Sequence, residues 1–204
     1  MLAILLAAGK GRRLGIPKAF ADLGGRPAYE ICVRSLMASG LDRIVMVVSP
    51  QGAARLSEEA SLQDGLNIVV NEAPEKGQTS SVKCALRGVT EDFLLQTVDH
   101  PLVRAGDIRQ LLRAWEQRAP GADILAPSVR GRRGHPCLHA AELIPEFLSL
   151  ADELPAHTVI RRDEGRVEHV QLQDEWIVRD IDELPDLEAA RAELAQRTSE
   201  SPGG

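Results

Sequence analysis

Cysteine is scarce in this chain. Three, Cys32, Cys84 and Cys137, occur in 204 residues, and so odd and widely spaced a set excludes a disulfide framework or a CxxC zinc module and points to a reducing compartment, the cytoplasm. Positive charge is not in excess either: 24 Lys and Arg against 30 Asp and Glu leave a formal charge of −6. A general electrostatic grip on nucleic acid is thereby excluded, and any anionic ligand must be held by a local cluster. Long hydrophobic runs are also missing. Nothing approaches the roughly 20 apolar residues needed to cross a membrane, and in the opening MLAILLAAGKGRR the positive charges follow the short apolar run instead of preceding it, unlike a signal peptide. No internal repeat is seen.

What is present is a balance of 44% hydrophobic and 26% charged residues, that of a soluble globular protein long enough for one full core. Short apolar runs, Leu2 to Ala7, Arg43 to Val48, Leu66 to Val70, Asp92 to Val98 and a weaker Asp123 to Ala126, alternate with helical patterns. Tyr29, Val33, Leu36 and Met37 form one helical stripe; Val82, Ala85, Leu86 and Val89 form a second; Ile108, Leu111, Leu112 and Trp115 form a third. The alternation predicts an α/β protein, Rossmann-like and three-layered, with a mostly parallel sheet, helices on both faces and a small second lobe. Residues 1–197 are expected to be one domain, with 1–126 its nucleotide-binding half and 127–197 a second half that the resemblance given below puts on the acceptor side. The looser second half holds a Gly/Arg-rich turn, a helix around Ala140 to Leu150, a strand near Val167 to Leu172 and a last helix over Leu184 to Ala195. Residues 198–204 read as a disordered tail.

Chemistry concentrates in four places. Gly9, Gly11 and Gly15 follow the first predicted strand directly, where glycines let the backbone turn tightly and bring N–H groups close to an anion. Arg13 and Lys18 add the fixed charge a polyphosphate needs; the GxGxxxG spacing satisfies neither the dinucleotide fingerprint nor the P-loop. Gly77-Gln78-Thr79-Ser80-Ser81 opens a helix, where one hydroxyl serves as a cap and the surplus can reach a base or ribose. Asp99, in Thr97-Val98-Asp99-His100-Pro101, closes the fourth strand. It is sited either to hold a metal against phosphates or to cap the next turn. Asp180 and Asp182 alternate on an extended segment and point the same way, toward that metal or toward the N-terminus of the following helix.

In order and at these intervals, LAAGKGRRLGIPK, GQTSS, VDHP, RGHP and DIDELPDL resemble the nucleotidyltransferases of the molybdenum cofactor cytidylyltransferase type, within the MobA-like NTP transferases; the resemblance spans residues 1 to 190. It implies a Mg²⁺-dependent enzyme that joins a nucleoside monophosphate to a phosphorylated acceptor, such as the molybdopterin cofactor, and releases pyrophosphate. Carried over residue by residue, it implies that Ala8, Gly9, Gly11, Arg13 and Lys18 hold the triphosphate and that Gly77, Ser80 and Ser81 line the nucleoside pocket. It makes Asp99 a metal ligand, with Asp180 favoured over Asp182 as the second, and puts Gly134, His135 and Pro136 on the acceptor side. Arg13, Lys18 and Asp99 are the catalytic set. Guanylyl-transferring members commonly carry two glycines where Ala7-Ala8-Gly9 has one, which favours CTP as donor. The implied partners are an NTP, a phosphorylated small molecule and, transiently, a molybdoenzyme or its chaperone.

His135, Cys137 and His139 alternate along the chain, which on a strand gives one face; zinc is disfavoured there for want of a fourth ligand. His157 and His169 read as surface or partly buried. Arg130, Arg132 and Arg133 read first as solvated arginines on a mobile turn, with recognition of an acceptor phosphate as the other reading. Competing functions are a sugar- or alditol-phosphate nucleotidyltransferase, a non-catalytic nucleotide-binding protein that delivers a cofactor, and, last, an NADP-dependent oxidoreductase.

Overall fold

Each early apolar run becomes a strand and each stripe a helix. The computed structural model describes residues 1–58 and 65–199. Its first part runs β1 (Leu2–Leu6), α1 (Ala28–Ala38), β2 (Ile44–Val48), α2 (Pro50–Glu58), β3 (Leu66–Val70), α3 (Gln78–Leu86), β4 (Phe93–Thr97) and α4 (Ala105–Glu116). The second continues with β5 (Ile124–Val129), β6 (Arg132–Arg133), β7 (Cys137–His139), α5 (Ile144–Ser149), α6 (Thr158–Arg161), β8 (Val167–Gln171) and α7 (Leu184–Ser199).

The strands form one sheet in the order β3-β2-β1-β4-β7-β5-β6, with β8 also paired to β5. The β1, β2, β3 and β4 contacts are parallel, β7 is antiparallel to both β4 and β5, and β8 is parallel to β5. The chain therefore winds outward from β1 to β3 and crosses back to place β4 on the other side of β1. The carboxyl ends of β1 and β4 flank that reversal, where open α/β sheets bind ligands. The residues after 127 add β6, β7 and β8 to this same sheet.

Both faces are covered. Alternation in β1 sends Ala3 and Leu5 into a core with α1, α4 and α7, and Leu2, Ile4 and Leu6 into a second core with α3, α5 and α6. Phe93 and Phe147, both essentially inaccessible, anchor the second core edge to face with ring centroids 5.7 Å apart; burying such a side chain contributes roughly 1.5–3 kcal/mol.

Three expectations change. The Gly/Arg-rich segment is a tight hairpin, not a mobile loop: Val129 pairs with Arg132, and Arg130 (φ 51°) and Gly131 (φ 78°) form a two-residue turn of positive φ. The helix expected from Ala140 is a 3₁₀ turn over Ala141–Leu143 followed by α5, because Pro145 is tolerated only in a first helical turn. The last helix runs past Ala195 to Ser199, because Arg197 is tied down by the Leu102 carbonyl at 2.7 Å and the Asp174 carboxylate at 3.0 Å. The expected disordered tail thus loses Thr198 and Ser199 to the helix, and its residues 200–204 lie outside the described residues. No described helix is long and apolar enough to cross a membrane.

Candidate active site

The glycine turn leaving β1 is shaped by one close approach. Gly11 (φ +57°) donates no side chain where the Ile16 carbonyl presses in, a place any Cβ would fill, and its own carbonyl accepts from Gly15 N at 2.9 Å. The turn borders a cavity of about 260 Å³ whose wall includes Ala8, Gly9, Gly11, Lys18, Ser81 and Asp99. It lies at the β1/β4 reversal.

Lys18 and Asp99 line the cavity, and Arg13, Asp180 and Asp182, which do not, cluster with them beside it. Lys18 Nζ lies 3.0 Å from Asp99 Oδ2 and also donates to Asp182 Oδ1, while Arg13 Nη1 donates to Asp182 Oδ2 at 2.8 Å. The Asp99 carbonyl accepts from Ile181 N at 2.8 Å, which fastens the Asp180-Ile181-Asp182 segment beside the end of β4. Ligand oxygens of Asp99, Asp180 and Asp182 come within 4.8 Å of one another, the one such convergent group of three among the described residues. Hard carboxylate oxygens of this kind suit a divalent cation such as Mg²⁺ or Mn²⁺.

Burial alone would push the Asp99 carboxyl up. Its hydrogen bond and charge interaction with His100, the Lys18 ammonium and the Thr97 hydroxyl outweigh burial and hold it well below the usual carboxylate range. Lys18 is governed the same way: burial works against its charge, but Asp99 and Asp182 more than offset it and raise its pKa. Both groups are therefore fully ionised at neutral pH.

The start of α3 differs from the expected cap. No side chain caps it, so its first N–H groups remain available beside Gly77 and Gln78, both in the cavity wall. Thr79 donates to the Leu154 carbonyl and Ser80 to the Gly77 carbonyl at 2.8 Å, so these hydroxyls are spent on the fold; of the three, Ser81 alone lines the cavity. Asn71, which sequence reasoning missed, organises this corner. Its Nδ2 donates to Ser80 Oγ at 2.8 Å and Ser81 Oγ at 3.0 Å, while its Oδ1 accepts from Ala73 N at 3.0 Å. The available signal was a buried-type polar residue directly after β3, at a strand's carboxyl end.

A second pocket, of about 240 Å³, adjoins the first and shares Gln78 with it. Its wall includes Arg133, His135, Cys137, His139 and Phe147. The β5–β6 and β5–β7 pairings, Ser128 with Arg133 and Leu125 with Leu138, differ by two residues, so His135 and Pro136 bulge from the return strand. Gly134 allows this: a Cβ there would overlap the Ile177 carbonyl, which accepts from His135 N at 2.9 Å. Of the expected acceptor-side trio, His135 faces this pocket, whereas Gly134 and Pro136 set the backbone that presents it. The zinc reading stays disfavoured, since His135, Cys137 and His139 form no convergent group of ligand atoms. Burial first, and then His100, lowers the pKa of His135 to about 4; burial and then His135 lowers that of His139 to about 3; burial raises the Cys137 thiol to about 12. The wall is therefore neutral at physiological pH, apart from its arginines. Arg133, in that wall, pairs with Glu164 at 3.0 Å, and Arg130, outside it, pairs with Glu175 at 2.8 Å.

The open α/β sheet, with a glycine-edged hollow holding Lys18 and Asp99 at its reversal point, defines the fold class. Comparison with known proteins narrows this. The family description MobA-like NTP transferase domain matches residues 3–170, and the chain belongs to that family. It is 33% identical over 132 residues to 2-C-methyl-D-erythritol 4-phosphate cytidylyltransferase of Thermotoga neapolitana (61% of this chain, 57% of that protein). It is also 33% identical over 133 residues to the probable molybdenum cofactor guanylyltransferase of Bacillus licheniformis (63% and 62%). With bifunctional protein GlmU of Hyphomonas neptunium it shares 33% identity over 140 residues, 64% of this chain and 30% of that protein. The chain thus spans under two thirds of the length of each of these relatives. In fold it is similar to Rv0371c of Mycobacterium tuberculosis, with a TM-score of 0.80, 22% identity and coverage of 94% and 96%; a manganese complex of Rv0371c superposes with a TM-score of 0.77 at 20% identity over 94% and 97%.

Proposed function

We propose that this protein is a nucleotidyltransferase that moves CMP from CTP to a phosphorylated small-molecule acceptor, molybdopterin being the first to try, and releases pyrophosphate. The observation that carries this reading is the meeting of Lys18 with Asp99 and Asp182 across the glycine turn, at the carboxyl ends of β1 and β4. Support for cytidine comes from Ala7-Ala8-Gly9, which has one glycine where guanylyl-transferring members commonly carry two; Ala8 lines the cavity. Three free thiols are in keeping with a cytoplasmic setting.

The chemistry follows from charge and position. An acceptor phosphate oxygen attacks the α-phosphorus, a new P–O bond forms, and the bond to the β-bridging oxygen breaks, its electron pair leaving with pyrophosphate. The nucleophile is already anionic, so no protein base is needed and the catalytic task is alignment and neutralisation. Lys18, Arg13 and the uncapped start of α3 neutralise the triphosphate. Binding exchanges carboxylate partners of Lys18 for phosphate oxygens. Asp99, Asp180 and Asp182 would then hold a divalent cation, Mg²⁺ by preference, which supplies charge neutralisation on the phosphates. The test is pyrophosphate release across the four nucleoside triphosphates, with and without Mg²⁺. Mg²⁺-dependent release with CTP is expected; equal release from all four would discard the cytidine assignment, and no nucleotide binding would discard the whole reading.

A further inference from the structure

The Asp99 carboxylate is held from two sides, one oxygen to each. Lys18 Nζ stands 3.0 Å from Oδ2 and also donates to Asp182 Oδ1, so Oδ2 is the oxygen turned toward Asp182. Oδ1 is turned the other way, to His100 Nδ1 at 3.2 Å. An ionised carboxylate only accepts hydrogen bonds, so Nδ1 carries the proton of this contact. The same nitrogen lies 3.0 Å from Thr97 Oγ1, whose hydroxyl in turn donates to Asp99.

His100 is itself firmly seated. It is 9% exposed, and its backbone closes a tight turn: its N–H donates to the Thr97 carbonyl at 3.2 Å, and its carbonyl accepts from Nε2 of the fully buried Gln96 at 3.1 Å. His135 backs the imidazole with ring centroids 4.8 Å apart, and the N–H of His135 is in turn fixed on the Ile177 carbonyl at 2.9 Å. Yet the His100 ring belongs to the wall of neither pocket. Its contribution to a bound ligand must therefore pass through Asp99. A carboxylate without such a partner turns freely about its last bond and can offer either oxygen; a hydrogen bond to one oxygen stops that rotation, as outer partners of metal-binding side chains do.

Resting on the nucleotidyltransferase reading for the role of the cation, we infer that His100 is a positioning residue. Its Nδ1–H fixes the Asp99 carboxylate so that Oδ2, and not Oδ1, is offered to the divalent cation that Asp99, Asp180 and Asp182 would hold.

The experiment measures Mn²⁺ binding to the full chain, from the loss of the free ion's paramagnetic resonance signal, for the parent, His100→Phe and His100→Asn. Phenylalanine keeps a packed ring and removes the donor. Asparagine gives up the ring and keeps an N–H donor, Nδ2, as many bonds from the backbone as Nδ1. Positioning predicts that His100→Phe weakens Mn²⁺ binding roughly 10- to 100-fold, the usual loss when the partner of a metal ligand is removed. His100→Asn should bind close to the parent even though the space left by the ring lowers its thermal stability. Undiminished binding to His100→Phe, or a loss in His100→Asn as large as in His100→Phe, overturns the inference and leaves His100 a packing residue. If His100→Phe fails to fold, the ring nitrogen resonances of the unaltered chain decide: at neutral pH Nδ1 should bear a proton and shift when Mg²⁺ is added, and a bare or unmoved Nδ1 overturns the inference. So does a parent chain that takes up no Mn²⁺. CTP is titrated separately. The expected ranking of the variants without CTP binding to the parent defeats the nucleotidyltransferase reading alone, whereas Mg²⁺-dependent pyrophosphate release from CTP with undiminished Mn²⁺ binding to His100→Phe defeats this one alone.

Discussion

The two adjoining pockets of this molecule solve opposite problems with the same sheet. At the β1/β4 reversal, ionised groups face one another: Lys18 bridges Asp99 and Asp182, and Arg13 reinforces Asp182. About two residues further back along β4, His135 and His139 are kept neutral by burial, and the wall between them is apolar. The first hollow presents charged groups already paired with one another. The second presents a largely apolar wall with neutral imidazoles. Thr97 and Leu95, on one face of β4, border the two.

The largest test of that contrast is Asp99→Ala. It removes one of the three convergent carboxylates and releases Lys18, and on the proposed function we expect pyrophosphate release to fall by about 10³-fold or more; near-normal release would take Asp99 out of the site. Lys18→Met should follow, with turnover lowered about 10²- to 10³-fold, and Asp99 should then titrate closer to an ordinary carboxylate because its nearest cation is gone. Carboxyl resonances followed through acid pH would report that change.

Gly134→Ala attacks the second pocket through the backbone. Its methyl would overlap the Ile177 carbonyl, so destabilisation of about 1–3 kcal/mol is expected, together with a raised Michaelis constant for the acceptor and little change for CTP. Equal effects on both constants would show that the pockets are not separable. Arg13→Ala is milder, because its side chain is 70% exposed: turnover should drop about tenfold, with stability within about 0.5 kcal/mol of the parent.

The smallest effect is on pH. His139 and His135 are depressed to about 3 and about 4 from 6.5. Above pH 6.5 both are neutral folded or unfolded, so their contribution is complete; as pH falls from 6.5 toward 3 the unfolded chain takes up protons first and that stability is lost. Thermal unfolding of His139→Phe should therefore decline less steeply across this window. If its slope matches the parent, the acid sensitivity in this window lies with His135, because the contribution of Asp99 is lost only below the ordinary carboxylate range.

Local patterning alone determined the α/β architecture and most of the cavity wall at the β1/β4 reversal. Continuous apolar runs can be satisfied only when both faces of a strand are covered, and Gly11 with Lys18 follows the first run by chain continuity. Asp99, Asp180 and Asp182 were legible as residues, but their convergence was not, because it depends on a backbone bond from Ile181 to Asp99 across 82 positions of chain. Tertiary structure alone decided that Thr79 and Ser80 serve the fold, that Asn71 holds the corner, and that His139 is buried between Phe93 and Phe147. Those outcomes depend on which distant carbonyl or ring comes to lie beside each polar atom, and hydrogen bonds that short in reach cannot be read from spacing along the chain.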